Sequence, residues 1–331
     1  MVDYNMLEST NKINLAQHSF LVTGGAGFIG SNLVEFLMDN DAKFVRVLDN
    51  FSTGNLDNIK KFFTSPRFEL LTGDIRDIET CKKAVVSIDY VSHQAALGSV
   101  PRSISDPLTT NEVNISGFLN VLNVIKNSQV KKLVYAASSS TYGDSLSLPK
   151  VENTIGKPLS PYAVTKFVNE LYAQVFADLY KINSIGLRYF NVFGPKQNPD
   201  GEYAAVIPLF MKSVLSNTAP YINGDGEQTR DFTFVQNAVH ANIQALMSKT
   251  KGHEVINIAF GERTSLNQLW KYISEIGNSK LDPLYRSSRL GDVRDSLADI
   301  SKAKELINYN PTVSIQQGLK TTFDWYLAHG K

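Results

Sequence analysis

Residues 19–33 read S-F-L-V-T-G-G-A-G-F-I-G-S-N-L. An apolar, β-prone run stops on glycine, and an amphipathic pattern from Ser31 to Met38 then predicts a helix. Between the two, Gly24, Gly27 and Gly30 stand at three-residue spacing, and Gly25, Gly27 and Gly30 also satisfy G-x-G-x-x-G. A turn of this kind serves anion binding. Its glycines let the backbone approach a pyrophosphate, whose charge the free N–H groups and dipole of the following helix favour. Asp49 closes the next apolar run, F-V-R-V-L-D, about 20 residues beyond the turn, where an acid accepts hydrogen bonds from ribose hydroxyls. The same carboxylate repels a 2′-phosphate, and Asn50 and Phe51 bring no cation to offset that repulsion. NAD is therefore expected rather than NADP. Asp74 and Ile75, in G-D-I-R-D after the third run, either meet the adenine or serve ordinary turn chemistry.

Further strand-like runs alternate with helical patterns: F-E-L-L-T-G-D, I-D-Y-V-S-H-Q-A-A, K-L-V-Y-A-A-S and N-S-I-G-L-R-Y-F, each ending in glycine, acid or hydroxyl residues. This alternation predicts an α/β fold of Rossmann type, a doubly wound parallel sheet with ligands at the carboxyl ends of its strands. After about Asn191 the chain becomes rich in Gly, Pro, Asn and Asp, with isolated strands and helices, and reads as a smaller mixed α/β substrate-binding lobe. The expected division is an NAD-binding domain over residues 1–190 with about 234–260, and a substrate-binding lobe over 191–233 and 261–331. No Gly/Ser or Pro-rich linker separates the halves, so the lobes should pack together around a cleft.

Composition narrows the partners. With 43% hydrophobic and 20% charged residues in 331, the chain can bury a large core. Its 33 basic and 32 acidic residues leave a net charge of +1, which gives no footprint for nucleic acid or an anionic membrane and favours a small-molecule ligand. The polar, acidic N-terminal stretch lacks the pattern of a signal peptide, and no run approaches transmembrane length. Cys81 is the single cysteine, which excludes an intrachain disulfide and a cysteine metal cage. The five histidines form no ligand spacing, so no metal is expected and His93 reads as a structural residue at a strand end. A cytoplasmic location is expected.

The segment S-P-Y-A-V-T-K holds Tyr162 and Lys166 four residues apart, on one face of a helix that Ser160 can cap and Pro161 can open. A free phenol ionises near pH 10, and neighbouring positive charge from Lys166 and an oxidised nicotinamide lets it act as a general base. Upstream, Ser138, Ser139 and Ser140 end a strand, with hydroxyls suited to orient a substrate hydroxyl toward the tyrosine.

T-G-G-A-G-F-I-G, D-N-F-S-T-G, H-Q-A-A, S-S-S-T-Y-G, Y-A-V-T-K and R-Y-F-N-V-F-G-P together resemble the extended short-chain dehydrogenases over nearly the whole chain. H-Q-A-A-L-G-S-V-P-R-S, Y-A-A-V-I-P, Y-I-N-G-D-G-E-Q-T-R-D-F and G-D-V-R-D-S-L-A-D are similar, more narrowly, to bacterial UDP-N-acetylglucosamine 4-epimerases of surface polysaccharide synthesis. The resemblance implies that Tyr162 removes the C4 hydroxyl proton while bound NAD takes the C4 hydride. The 4-keto sugar then turns over, and hydride returns to its other face. It implies further that Lys166 binds the nicotinamide ribose and lowers the tyrosine's pKa, and that Ser138 hydrogen-bonds the reacting oxygen. Phe28, Ile29, Asn50, Ser52, Thr53, Gly54, Gln94, Ala95, Ala96, Asn111, Tyr189 and Val192 match positions lining the NAD site. Ser99, Arg102, Ser139, Ser140, Asn191, Ala205, Val206, Tyr221, Asn223, Arg230, Arg289 and Asp292 match the sugar-nucleotide site. Arg230 and Arg289 suit a diphosphate as guanidinium forks, or are ordinary surface arginines. Gly98, Ala205 and Ser296 match the walls of the hexose pocket, and their small size leaves room for a 2-acetamido group. A homodimer through the Tyr162 helix and the helix holding Asn114 to Lys126 is implied as well.

Rival readings differ at named residues. A 4,6-dehydratase or a uronate decarboxylase is similar to this chain but carries acids where Ser139 and Ser140 stand, and hydroxyls cannot deliver that chemistry at neutral pH. A plain UDP-glucose/UDP-galactose 4-epimerase remains an alternative. An inactive NAD-binding scaffold is disfavoured because Ser138, Tyr162 and Lys166 are all retained. Where many relatives carry an acid, Gln236 and Asn237 stand here, and Asn237 is expected to cap the next helix.

Overall fold

The structure, a computed structural model, describes residues 14–200, 204–287 and 294–330. Strand β1 (Ser19–Thr23) is buried at every position, as a strand covered by helices on both faces must be. Helix α1 (Phe28–Asp39) follows and starts three residues ahead of the amphipathic pattern, with Gly27 at its N-cap. Then come β2 (Phe44–Asp49), β3 (Phe68–Thr72), α2 (Ile78–Ala84), β4 (Tyr90–His93), α3 (Val100–Ser105) and α4 (Pro107–Asn111). A π-helical segment over Glu112–Gly117 joins α4 to α5 (Phe118–Ile125), so the helix expected there runs on without a break through a local change of hydrogen-bond period. Next are β5 (Lys132–Ser138), α6 (Pro161–Tyr180), β6 (Ser184–Tyr189) and β7 (Val192–Phe193). The remainder comprises α7 (Val206–Leu215), β8 (Tyr221–Asn223), β9 (Thr229–Arg230), β10 (Thr233–Phe234), α8 (Val235–Met247) and β11 (His253–Ile258). After these lie β12 (Thr264–Ser265), α9 (Leu266–Ile276), β13 (Leu284–Arg286), α10 (Ser301–Ile307) and α11 (Ile315–His329).

Seven parallel strands form one sheet in the order β11-β6-β5-β4-β1-β2-β3. The order reverses direction on either side of β1, which opens a crevice at the carboxyl ends between β1 and β4. Strand β11 joins the sheet beside β6 after the chain has passed through the lobe, with His253–Ile258 in register with Ser184–Tyr189. Short two-stranded pairs, β10 with β7, β12 with β9 and β13 with β8, build the smaller lobe over the carboxyl ends.

Two apolar layers flank the sheet. On one side Phe20, Leu33, Phe36, Leu37 and Val47 pack with α8 residues such as Ala238 and Val239. On the other, Leu21, Val91, Phe118, Leu122 and Tyr135 pack with Ala173 and Phe176 of α6. Asn237 does not cap α8, as it was expected to. It lies buried inside the first turn, where its Oδ1 accepts from the N–H groups of Thr312 and Val313 and its Nδ2 donates to the Val313 carbonyl. The cap position is taken by Phe234, because the chain enters α8 directly from β10. Among the described residues no helix is long and apolar enough to cross a membrane.

Candidate active site

A cavity of about 820 Å³ runs along the carboxyl ends of β1 to β6. At one end lies the glycine turn. Gly24 has φ +68°, and a Cβ there would stand 2.7 Å from the Ala95 backbone nitrogen. A Cβ on Gly30 would stand 2.1 Å from the Gly24 carbonyl oxygen. Glycine is therefore dictated by backbone contact at both positions, not only by flexibility. Gly27 brings no side chain to cap α1, which leaves the first-turn N–H groups facing the cavity end. Asp49, 7% exposed, accepts from the Ala26 N–H at 2.8 Å through Oδ2 and from the Phe51 N–H at 2.8 Å through Oδ1. Each oxygen keeps acceptor capacity for a ribose hydroxyl. Asp74 receives Asn50 Nδ2 at 2.9 Å and Arg76 Nη2 at 2.8 Å, and Arg76 holds its carboxyl down near about 2. Turn chemistry thus occupies Asp74, although it also lines the cavity with Ile75. The shape, donor set and acid of this end fit a dinucleotide.

Midway along, β5 ends on Ser138, opposite Tyr189 of β6. Ser138 Oγ accepts from the Ser140 N–H at 3.1 Å and from Ser140 Oγ at 2.9 Å, so its own proton remains for Tyr162. Helix α6 opens as its sequence suggests, with Ser160 accepting from the Ala163 N–H and Pro161 in the first turn. The Tyr162 N–H also donates to buried Ser103 of α3 at 3.0 Å. Burial pushes the Tyr162 hydroxyl above its ordinary value, and the Ser138 hydrogen bond opposes this. The Lys166 ammonium lies 5.9 Å from the tyrosine ring centroid and donates to the Ala136 carbonyl at 2.7 Å. Burial of the phenol therefore prevails. Burial also brings Lys166 down to about 8, with Glu170 one helical turn on pulling the other way. His93 is structural: its Nδ1 bonds Thr23 Oγ1 at 2.8 Å, and burial with nearby Lys166 brings it down to about 3. Gln94 and Tyr189 join at 3.3 Å, and Asn242 Nδ2 donates to the Tyr189 hydroxyl at 2.7 Å, fixing this wall.

Of the residues singled out in the sequence, Gly24, Gly27, Phe28, Ile29, Gly30, Asp49, Asn50, Ser52, Thr53, Asp74, Ile75, Gln94, Ala95, Ala96, Gly98, Ser138, Ser139, Ser140, Tyr162, Tyr189, Asn191, Val192, Arg230 and Ser296 line this one cavity. Others stand off it. Gly54 packs under the turn against Ala26 and Asp49, and Lys166 lies behind the wall. Ser99 caps α3 through the Arg102 N–H, and Ala205 stands at the N-cap position of α7 ahead of Val206 without a capping hydrogen bond. Tyr221 and Asn223 lie on β8, where Arg286 donates to Asn223 Oδ1 at 2.6 Å and sits 4.9 Å over the Tyr221 ring. Arg289 and Asp292 lie outside the described residues. Asn111 is exposed at the end of α4, whereas Asn114, inside the π-turn, is 1% exposed. Asn114 clasps the Leu97 backbone through Oδ1 and Nδ2 and bonds Thr165 Oγ1, tying the pocket loop to α6. Lys150, Tyr142 and Asp295 also line the cavity, though no local motif marked them.

The arrangement can move a proton at a hydroxyl held against Ser138 and Tyr162, next to a dinucleotide-sized groove. Comparison with known proteins agrees. The family model described as "NAD dependent epimerase/dehydratase family" matches residues 20–259. A putative UDP-glucose 4-epimerase of Methanocaldococcus jannaschii is 38% identical over 307 residues, covering 92% of this chain and 97% of that protein. The structure of a UDP-N-acetylglucosamine 4-epimerase from Methanobrevibacter ruminantium M1 in complex with UDP-N-acetylmuramic acid is similar at TM-score 0.90 and 38% identity, covering 94% of this chain and 99% of that one. A UDP-glucuronic acid 4-epimerase from Bacillus cereus, in complex with UDP-glucuronic acid and NAD, is similar at TM-score 0.88 and 33% identity, covering 94% and 99%.

Proposed function

Since the chain belongs to the NAD dependent epimerase/dehydratase family, we propose that it is an NAD-dependent UDP-sugar 4-epimerase that interconverts UDP-GlcNAc and UDP-GalNAc. The observation that carries this reading is the meeting of Ser138 and Tyr162 in the same cavity as the glycine turn, with Gly98 and Ser296 in its wall. When bound, NAD supplies a reversible hydride acceptor for C4 and a positive ring charge that favours the Tyr162 phenolate. Tyr162 takes the C4 hydroxyl proton at its Oη and returns it after the sugar has turned. Ser138 donates to the reacting oxygen and holds it within reach of the tyrosine. Lys166, held by the Ala136 carbonyl, keeps a positive charge behind the phenol at neutral pH. Arg230, whose Nη1 donates to the carbonyls of Thr229 and Arg294, holds the diphosphate while the hexose turns.

A Cβ on Gly98 would meet nothing within 4 Å, which supports the room assigned to a 2-acetamido group on that side. Ser139 and Ser140, in place of acids, weigh against dehydration and decarboxylation. We also carry forward the division into residues 1–190 with about 234–260 and 191–233 with 261–331, the cytoplasmic location and a homodimer through α6 and the helix holding Asn114 to Lys126, since exposed Val164, Leu171, Val175 and Leu179 on α6 suit a helix-to-helix contact.

The test is to incubate the purified protein with UDP-GlcNAc, without added cofactor, and to follow the anomeric protons by NMR. Appearance of UDP-GalNAc supports the reading. Conversion of UDP-glucose but not UDP-GlcNAc overturns the acetylated-sugar assignment, and no conversion of either overturns epimerisation.

A further inference from the structure

Asp231 follows Arg230 in the chain, is 0% exposed and lies outside the proton path. The hydrogen bonds its carboxylate makes with described residues are all from backbone N–H groups. Oδ1 accepts from Phe260 at 3.1 Å and Gly261 at 3.2 Å, and Oδ2 accepts from Gly261 at 3.2 Å and Ala298 at 3.2 Å. These donors come from two separate segments. Phe260 and Gly261 form the turn after β11, and Ala298 belongs to the segment that carries Ser296 into the cavity wall. The backbone of Asp231 contributes a third tie, since its carbonyl accepts from Asn191 Nδ2 at 3.0 Å. Asn191 is held at φ +37°, a conformation that side chains rarely adopt, and its own carbonyl accepts from the Thr233 N–H at 3.3 Å. One buried residue therefore connects three pieces of cavity wall, Arg230, Asn191 and the Ser296 segment, with no side chain of its own in the cavity lining.

Such a residue is expensive to keep. Burial pushes its carboxyl up to about 7, against the pull of the Ala298, Gly261 and Phe260 donors, whereas a neutral side chain would fill the space without that penalty. A carboxylate has one property that an amide or an apolar group lacks: both oxygens accept, so it can hold donors that converge from two sides.

We propose that Asp231 is a positioning residue for nucleotide-sugar binding, fastening the Ser296 segment and the turn after β11 to the strand of Arg230 so that the pocket walls stand at a fixed spacing. This rests on the reading of the lobe as the nucleotide-sugar site. Its effect falls on affinity, because the Ser138, Tyr162 and Lys166 positions are set by β5 and α6, which Asp231 does not touch.

Asp231→Asn turns one acceptor into an NH2 group that faces N–H donors, so one of the two segments must let go. In the NAD-loaded enzyme, UDP alone should bind at least tenfold more weakly by calorimetry, and KM for the nucleotide sugar should rise by the same factor. The turnover number should stay within about twofold and the bound NAD content should not change, the signature of lost uniform binding. Ala298→Pro removes a single donor and leaves the carboxylate intact, and should show the same split even where Asp231→Asn folds poorly. Unchanged UDP affinity in both variants overturns the proposal. So does a parallel loss of NAD, turnover and thermal stability, which marks a general structural role. Failure of the unaltered enzyme to bind UDP overturns the nucleotide-sugar reading itself.

Discussion

Arg188 and Glu170 form a bidentate pair, with Nε to Oε1 at 2.9 Å and Nη2 to Oε2 at 2.7 Å, and their side chains are 4% and 6% exposed. The third arginine nitrogen donates to the Glu152 carbonyl, and the guanidinium lies 4.8 Å over the ring of Tyr142. Glu170 sits one turn beyond Lys166 and two beyond Tyr162, so the pair pins the rotation of α6 against β6. Arg188→Met leaves a buried carboxylate with no partner, which costs about 3–5 kcal/mol. For a chain of 331 residues, unfolding entropy is about 0.7 kcal/mol per degree, so Tm should fall by roughly 4–7 °C. The double variant Glu170→Met with Arg188→Met removes both charges and should recover most of that loss, because packed apolar groups replace a pair whose desolvation was never fully repaid. The assay is denaturant unfolding of the wild type, the two single variants and the double variant, with NAD and protein concentrations held equal so that ligand linkage does not enter. A single-variant cost below about 1 kcal/mol refutes the reasoning, as does a double variant that costs the sum of the two.

Other expectations follow from single contacts. Tyr162→Phe should purify with its NAD and lose at least about a hundredfold in turnover, because only the proton-transfer hydroxyl is removed; near-normal NMR conversion sinks the base assignment. Ser296→Tyr narrows the cavity wall and should depress conversion of the acetylated sugars more than of the plain hexoses, so equal losses on both count against the pocket-size argument. Asp89 is raised by burial but more than offset by the Lys131 ammonium and the Ser19 donors, which hold it at about 2 against an ordinary 3.8. A depressed carboxylate contributes stability above its unfolded value, here about 1 kcal/mol once solvent screening of the Lys131 pair is discounted, and loses it as pH falls from about 4 toward 2. Asp89→Asn should therefore cost about that much at pH 7 and little at pH 2, and unfolding curves at the two pH values check the sign.

Much of this molecule follows from local rules. The strand from Ser19 to Thr23 and the glycines after it were legible because strand and turn chemistry act over a few residues, and Asp49 because it ends the next strand at the spacing that a dinucleotide-binding unit sets. The cap at Ser160 and the shared face of Tyr162 and Lys166 were legible for the same reason: capping and the 3.6-residue period act over a few residues. The features that escaped are those made by distant segments meeting. Asn114 is buried because Leu97 and Thr165 meet it from distant parts of the chain, whereas Asn111 stays exposed, and no periodicity argument anticipates those partners. Arg286 reaches Asn223 only because β13 pairs with β8 across some 60 residues of chain. Asn237 looked like a cap but is consumed by the loop at Thr312, and Asp231, to which no local pattern gave a role, takes its backbone donors from Phe260, Gly261 and Ala298. The phenol shows the same boundary: the pattern Y-x-x-x-K puts Lys166 on the tyrosine's face, whereas the burial that pushes the phenol up and the Ala136 carbonyl that holds the lysine come from packing. Local chemistry names the groups and their faces, and long-range packing sets their solvation and their partners.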